Sequence, residues 1–223
     1  MVFDHITQFH LNALKEIGNI GAGHAATALS EILNKKITIS IPNVRLETIN
    51  QIINEIEGPE SIVYSVCQYF SGDINGCIFI VFHKLAANHF LRSLFNIADF
   101  DISNPKYQSD GKSALSEFGN ILSGNYLASF SDMVGLRFSL SAPIVIMDMI
   151  STIITEGLLM ASVESDYGLI IDTILHGEKS QVDSEILFLP THKSFHTIFS
   201  ALGLNLWGDY VSEKRIGIAE LDT

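Results

Sequence analysis

The sequence has few cysteines and few basic residues. Cys67 and Cys77 are its only cysteines, form no C-x-x-C pair and are too few for a disulfide framework. Against 25 aspartates and glutamates there are 13 lysines and arginines, which gives a formal net charge of -12. A surface short of positive charge argues against sequence-independent binding to nucleic acid or to an anionic membrane. We therefore expect neither as a partner.

The sequence also lacks a basic N-terminal region followed by an apolar stretch, so we expect a cytoplasmic protein in a reducing environment. Its most apolar stretch, residues 143–163, contains Asp148 and Glu156. We interpret this stretch as a buried strand followed by a helix rather than as a membrane span. With 47% hydrophobic and 17% charged residues in 223, the chain is long enough to bury a full core.

One pattern, E-x-G-N-I-x-x-G, occurs twice, at Glu16–Gly23 and at Glu117–Gly124. In each copy a proline, Pro42 or Pro143, follows the motif asparagine after 22 intervening residues. Corresponding positions in the two copies are 101 residues apart throughout (117 minus 16, 143 minus 42). A self-match at one fixed offset indicates a duplicated unit, so each half is predicted to carry one copy of a site.

Hydrophobic periodicity predicts the same order of elements in both halves. The first half comprises a helix over 4–34, a strand over 37–41 that Pro42 ends, a hairpin of 61–70 with 76–82 and a helix over 85–95. The second comprises a helix over about 111–133, strands near 137–140 and 144–147, a hairpin of 167–175 with 181–189 and a helix over 192–202, after a linker at 97–110. This order predicts an α+β fold with antiparallel strands and helices packed on the sheet. We expect one domain over 1–223, with pseudo-twofold halves at about 4–96 and 111–203.

A helical wheel places each motif opposite the apolar stripe of its helix. The predicted outer faces consist of Asn12, Glu16, Asn19 and Gly23, and of Ser113, Glu117, Asn120 and Gly124. The predicted inner faces consist of Leu11, Leu14, Gly18, Gly21, Ala25, Leu29 and Ile32, and of Leu115, Gly119, Leu122, Tyr126 and Met133. Ile20 and Ile121 fall beside the polar groups. Close packing against the sheet or the other helix explains Gly18 and Gly119.

An outward glycine such as Gly23 or Gly124 weakens a helix by roughly 1 kcal/mol relative to alanine. We therefore expect another molecule to approach closely there, and the combination of carboxylate, carboxamide, isoleucine and glycine suits docking of a protein. Ordinary solvated helix residues would explain a single E-x-x-N. Repetition at a fixed offset argues against that explanation, although copying by duplication alone stays open.

These residues resemble the CheC/CheX/FliY family of chemotaxis phosphatases, whose signature is Asp or Ser, three residues, Glu, two residues, Asn, 22 residues, Pro. The second half matches at every position, with Ser113, Glu117, Asn120 and Pro143. The first half matches except that Asn12 stands where Asp or Ser is usual. The resemblance covers nearly the whole chain, and two sites make it most like the CheC members.

The resemblance implies hydrolysis of the aspartyl-phosphate on a CheY-like response regulator. Asn19 or Asn120 would orient the attacking water without titrating, and Glu16 or Glu117 would pair with a lysine of the regulator. The remaining outer residues would contact the partner: Asn12, Ile20, Gly23, Ser113, Ile121 and Gly124. The required Mg²⁺ would belong to the regulator, so the chain is expected to need no metal or cofactor of its own.

Three alternatives were weighed. Gly18–Gly23 contains G-x-x-G-x-G, but this departs from the nucleotide-binding pattern and follows a helix rather than a strand. His192 and His196 lie one helical turn apart and could share a metal, but no third ligand is evident. The rival function is an interaction module that binds a phosphorylated regulator, or the receptor deamidase CheD, with little catalysis. A monomer is expected in either case.

Overall fold

The computed structural model describes residues 6–56, 58–163, 166–177 and 181–203. Along these residues, helices and strands follow in this order: α1 Gln8–Leu33, β1 Thr38–Thr48, α2 Ile49–Glu55, β2 Ile62–Gly72, β3 Gly76–His83, α3 Lys84–Phe95, α4 Pro105–Val134, β4 Phe138–Leu140, β5 Ile144–Met149, α5 Ile150–Met160, β6 Tyr167–His176, β7 Gln181–Pro190 and α6 His192–Ala201. The order repeats after α3, with β4 and β5 standing for β1. The predicted α+β fold with an internal duplication is confirmed.

The strands form one antiparallel sheet in the order β1-β6-β7-β3-β2-β4. β5 pairs with β2 on the same edge as β4. These two short strands together occupy the edge position in the second half that β1 occupies in the first. Both predicted hairpins, β2 with β3 and β6 with β7, are confirmed. The sheet is therefore continuous from one duplicated half to the other.

The register of the sheet is symmetric about the central pair of strands. Ile80 of β3 lies opposite Ile186 of β7. Ile80 also pairs with Val66 of β2, and Ile186 pairs with Ile171 of β6. A pseudo-twofold axis through the Ile80–Ile186 pair thus relates the two half-sheets. β3 is equivalent to β7, and their outer neighbours β2 and β6 are equivalent to each other.

Helices cover both faces of the sheet. α1 and α4 lie together on one face, where their buried residues join those of α3 and α6 in the larger core cluster. α2 and α5 lie on the opposite face over a smaller cluster that includes Ile52, Phe79 and Ile153. The central strands are buried on both faces, which is why their sequences are apolar almost without alternation.

Glycines let the helices approach closely. A Cβ built at Gly21 would lie 2.7 Å from the Cα of Tyr126 and 2.9 Å from the carbonyl oxygen of Asn125, so α1 and α4 are in backbone contact here. At Gly119 a Cβ would lie 2.6 Å from a methyl group of Val66 in β2. The prediction that Gly18 and Gly119 serve close packing agrees with these contacts, since a Cβ at Gly18 would meet Ile41 and Tyr126.

The helix boundaries differ from the predicted ones at their N-terminal ends. α1 begins at Gln8 after Thr7 as N-cap, while residue 4, the predicted start, lies outside the described residues. α4 begins at Pro105 rather than near 111, because Asn104 caps it and proline suits the first turn of a helix. The last six residues of the predicted linker, 105–110, are therefore helical. The predicted stop after α1 is confirmed by the left-handed conformation of Asn34.

The prediction that Pro42 ends the first strand is wrong. β1 continues from Thr38 to Thr48, and its register with β6 shifts between Ser40 and Asn43. Proline cannot donate to the strand ladder, but a β-bulge at this point removes the need for its N–H. The strand therefore bends at Pro42 instead of stopping.

Two residues predicted to face inward, Ile32 and Met133, are exposed by 60% and 62%. They occupy equivalent positions near the ends of α1 and α4, 101 residues apart. β5 was also predicted to be buried, but it is an edge strand in which Ile144, Met147 and Met149 are exposed. None of the helices in the described ranges is long and apolar enough to cross a membrane.

Candidate functional site

The predicted outer faces of α1 and α4 are confirmed for most of their residues. Exposed positions include Asn12, Glu16, Ile20 and Gly23 in α1 and Ser113, Glu117 and Asn120 in α4. Three residues are half-buried instead: Asn19, Ile121 and Gly124. The two motifs thus share one face of the molecule, but their asparagines have different surroundings.

The Asn19 amide is bonded to the backbone of β1. Its Oδ1 accepts a hydrogen bond from the Ile41 N–H at 2.9 Å, and its Nδ2 donates to the carbonyl of Ile41 at 3.2 Å and of Lys15 at 3.1 Å. A backbone N–H can only donate and a carbonyl can only accept, so these partners fix the orientation of the amide. Both N–H groups of Asn19 are therefore used inside the protein.

The bulge at Pro42 explains why Ile41 is available to Asn19. Ile41 and Pro42 together oppose the single residue Thr173 of β6, because the register shifts here. The N–H and C=O of Ile41 point to Asn19 rather than to a strand. The residues that precede the proline thus place the motif asparagine of α1 beside the interruption in the β1–β6 ladder.

Asn120 is bonded to a side chain instead. Gln68 of β2 donates from its Nε2 to the Oδ1 of Asn120 at 3.2 Å and to the carbonyl of Ser141 at 2.8 Å. The hydroxyl of Ser123 donates to the Oε1 of Gln68. Gln68 and Ser123 are only 1% and 0% exposed, so this network lies beneath the exposed Asn120.

The carbonyl of Ser141 determines how both amides are oriented. Since this carbonyl can only accept, the Gln68 atom that faces it is Nε2, and the second N–H of that nitrogen points to Asn120. The Asn120 atom that receives it must be the acceptor Oδ1. The Nδ2 of Asn120 is consequently turned away from Gln68, and no hydrogen bond joins it to another described residue.

The outward glycines leave open space above both helices. A Cβ at Gly23 or Gly124 would have no atom within 4 Å, unlike one at Gly18, Gly21 or Gly119. The predicted division into packing glycines and surface glycines is therefore present in the structure. Nothing in the fold requires glycine at either surface position.

An apolar groove of about 420 Å³ borders the second motif. Ser113, Glu117 and Ile121 of α4 form one side, and Ile32 of α1 lies on the other. The exposed Ile32 thus belongs to the surroundings of the second motif, although it comes from the first half. The groove continues over α3, where it is lined by Phe90, Leu94 and Phe95.

In the described part of the chain, no three His, Cys, Asp or Glu side chains come together as metal ligands would. His192 and His196 lie one turn apart at the start of α6. Tyr126 lies at the contact of α1 with α4, and burial raises the pKa of its hydroxyl. This hydroxyl is therefore held neutral over the physiological pH range.

The comparisons with known proteins agree with this geometry. A model of the CheC-like family matches residues 9–45 and 111–147, and each matched segment holds one motif and its proline. The protein named CheY-P phosphatase CheC from Bacillus subtilis (strain 168) is 33% identical over 207 residues, which cover 92% of this chain and 99% of that protein. The chain belongs to the CheC-like family.

Solved structures share the CheC-like fold at lower identity. The X-ray structure of Thermotoga maritima FliY is similar with a TM-score of 0.70 and 18% identity, over 88% of this chain and 97% of that one. The structure of the CheX-CheY-BeF3-Mg complex from Borrelia burgdorferi contains a chain with a TM-score of 0.51 and 19% identity, over 79% of this chain and 97% of that one. At these identities the likeness shows a shared fold.

Three residues of the two sites were not predicted from the sequence: Gln68, Ser141 and Ile41. Gln68 lies in a strand 52 residues before Asn120, and the first site has no glutamine at the equivalent position. The available signal was the proline, because its fixed interval from the asparagine showed that strand and helix meet at this point. A buried glutamine in the middle of an apolar strand was a second, weaker sign.

Proposed function

We propose that this protein is a phosphatase that hydrolyses the aspartyl-phosphate of a CheY-like response regulator, ending or adapting a chemotaxis signal. The observation that carries the proposal is the Asn120 amide, held with its Nδ2 outward next to the exposed Glu117. Family membership supports it, because the Bacillus subtilis relative is named as a CheY-P phosphatase.

The reaction needs little covalent chemistry from the protein. An acyl phosphate is already activated, so a water oxygen attacks phosphorus as the bond to the aspartyl oxygen breaks. The products are inorganic phosphate, which takes up the atoms of the water, and the free aspartate carboxylate. The outward Nδ2 of Asn120 can donate to the water oxygen and hold it in line, while a second lone pair of that oxygen stays free for attack.

Glu117 and Glu16 would fix the regulator rather than act on phosphorus. A carboxylate aimed at a phosphoryl group would repel it, whereas a carboxylate paired with a lysine of the partner sets the position of the helix. In α4, Ser113 lies one turn before Glu117 and Gly124 two turns after it. In α1, Asn12 and Gly23 have the same positions relative to Glu16. Together with Ile121 and Ile20 they form a flat strip along each helix for partner contact.

The regulator would supply the divalent cation. Phosphoryl transfer relies on a metal to neutralise developing charge, and the CheX structure from Borrelia burgdorferi was obtained with CheY, BeF3 and Mg. We place Mg²⁺ on the CheY-like partner and none on this chain. The same assignment places the reaction in the cytoplasm, where a response regulator acts.

The two sites would contribute unequally. The Nδ2 of Asn120 is ready to meet a water, but the Nδ2 of Asn19 already donates to two carbonyls. Asn19 must break one of those bonds before it can donate to a water. We therefore assign most of the activity to the second site.

Phosphate release from a phosphorylated CheY-like regulator, with Mg²⁺ present, tests the proposal. Wild-type protein should accelerate the release, Asn120→Ala should lose most of that acceleration, and the double variant with Asn19→Ala should lose it all. Unchanged decay in the double variant would refute the mechanism. Circular dichroism of each variant shows whether the fold is retained.

The alternative is a module that binds a phosphorylated regulator, or CheD, with little catalysis. Binding without faster phosphate release, measured by titration with a BeF3-treated regulator, would favour it. Under the main proposal the chain works as a monomer of one domain over 1–223, and CheD is a further partner. Light scattering of the free protein tests the monomer, and titration with CheD tests that partner.

A further inference from the structure

We infer that Gln68 is the positioning residue of the second site. Resting on the phosphatase function proposed above, the inference is that Gln68 holds the amide of Asn120 with its Nδ2 toward the incoming phosphoryl group. Gln68 lies outside both motifs and reaches the reaction only through Asn120.

The structure supports this role by the way Gln68 is held. Both N–H groups and the oxygen of its amide are used: one N–H donates to Ser141, the other donates to Asn120, and the oxygen accepts from Ser123. Ser123 is itself a residue of α4, so the network is attached to the motif helix. A buried amide with every group satisfied has one orientation, and it imposes one on its neighbour.

The backbone around Ser141 makes the anchor rigid. Ser141 donates its N–H to the carbonyl of Tyr69 at 2.8 Å, and its Oγ accepts from the N–H of Tyr69 at 3.0 Å. The carbonyl of Ser141 is left at the gap between β4 and β5, opposite Gln68. The acceptor that orients Gln68 is therefore part of the sheet.

The first site, around Asn19, shows how the equivalent position is arranged without a glutamine. The offset of 101 carries Asn43 onto Ile144, and these residues pair with Asp172 and Cys67 respectively. The next residue in each strand is then equivalent, so Thr173 stands where Gln68 stands. The hydroxyl of Thr173 donates to the carbonyl of Ile171, two residues back, and Asn19 turns to the backbone of Ile41 instead.

An exposed asparagine without Gln68 could rotate by half a turn about its last bond. Rotation would present Oδ1 to the water and turn Nδ2 toward the interior. The expected effect falls on the rate of the chemical step, because docking depends on Glu117 and the surface around it. Binding of the regulator should change little.

The test compares Gln68→Met with Asn120→Ala in a Glu16→Ala background, which silences the first site without removing a buried group. Methionine keeps the length of the side chain and lacks the amide. Gln68→Met should lower kcat for phosphate release by about 10- to 100-fold, a typical result of misplacing a catalytic group, with less than about a twofold change in KM. Thr173→Val, a matched loss of a buried polar group, should leave kcat unchanged.

A double-mutant cycle separates positioning from general damage. Once Asn120 is alanine, Gln68→Met should have no further effect on kcat, whereas a merely structural role would lower it again. The side-chain amide signals of Asn120 in ¹H–¹⁵N spectra, assigned by their loss in Asn120→Ala, should shift in Gln68→Met. They should stay in place in Thr173→Val.

Three outcomes are distinct. If Asn120→Ala keeps the full rate in the Glu16→Ala background, the proposed function fails. If Asn120→Ala is slow but Gln68→Met is not, only the role of Gln68 is overturned. If Gln68→Met does not fold, Gln68→Thr replaces it, because Thr173 shows that the equivalent strand position accepts threonine. An unchanged kcat in Gln68→Thr would then overturn the inference.

Discussion

Asn19 and Ile41 are joined by two hydrogen bonds that imitate the pairing of adjacent strands, with the side-chain amide of one residue meeting the backbone N–H and C=O of the other. The residue with the strongest claim to catalysis in the first motif is thus also a structural link between α1 and β1. Its twin Asn120 has no such link to a strand backbone. The two asparagines should therefore differ in what they contribute to stability.

Asn19→Ala should reduce the free energy of unfolding by about 1–3 kcal/mol, because the Ile41 N–H and C=O are left buried without partners. Asn120→Ala should reduce it by less than about 1 kcal/mol, since Asn120 is exposed and accepts one hydrogen bond. Urea unfolding followed by circular dichroism measures both. Equal losses in the two variants would contradict the asymmetry.

Gly21→Ala should destabilise the protein by about 1–3 kcal/mol or more, the usual effect of overpacking a core. The added Cβ would meet the Cα of Tyr126 and the carbonyl of Asn125, which are backbone atoms and cannot rotate away. Gly23→Ala, two residues later in α1, is the control. It should raise the free energy of unfolding by roughly 1 kcal/mol, because nothing lies within 4 Å and alanine favours helix. A loss of stability in Gly23→Ala would contradict this account.

Gly124→Ala should separate stability from function. Like Gly23→Ala it adds a Cβ in open space and should raise the melting temperature. Under the proposed function it narrows the clearance for the regulator, so KM for the phosphorylated partner should rise, and Gly124→Leu should raise it further. Steady-state phosphate release at several regulator concentrations checks this. An unaltered KM in Gly124→Leu would show that the partner does not approach α4 at this point.

Cys67 and Cys77 should be unreactive in the folded protein. Burial raises the pKa of the Cys67 thiol to about 11 and also raises that of Cys77, so neither forms the reactive thiolate near neutral pH. At pH 8 a thiol reagent such as dithionitrobenzoate should react only as fast as the protein unfolds. Rapid reaction of either cysteine under native conditions would contradict their burial.

The same shift gives stability a pH dependence. The folded-state pKa of Cys67 lies above its ordinary value of 9.0, so the neutral thiol is favoured in the fold. Its contribution is fully present below about pH 9 and is lost as the pH rises toward 11. Replacing Cys67 by alanine should reduce the fall in unfolding free energy over that interval.

Much of the fold was predictable because its signals are local or periodic. The hairpins follow from glycine and aspartate between runs of β-branched and aromatic residues, and the helix ends from capping residues such as Asn34. The predictions that were wrong applied a local sequence rule at a position where tertiary packing overrides it. Pro42 was read as a strand end because its missing N–H usually ends a ladder, but the bulge at Ile41 accommodates it.

The inward direction predicted for Ile32 and Met133 failed for a similar reason. Periodicity assigns an apolar residue to the core side of a helix, but it carries no information on how far the core extends beneath that helix. Ile32 instead lies across the helix contact, on the groove beside Glu117. Its position depends on the packing of two helices that are distant in the chain.

The sequence by itself determined the duplication, the order of the elements and the outward position of both glutamates, because a fixed offset and a helical period are properties of the chain. The tertiary structure decided what each motif asparagine is bonded to. Asn19 meets a backbone and Asn120 meets Gln68 because hydrogen bonds form between groups that folding brings together. The neighbouring strand presents Thr173 opposite the bulge of β1, but Gln68 opposite the gap between β4 and β5. Two copies of one motif thereby form two different sites.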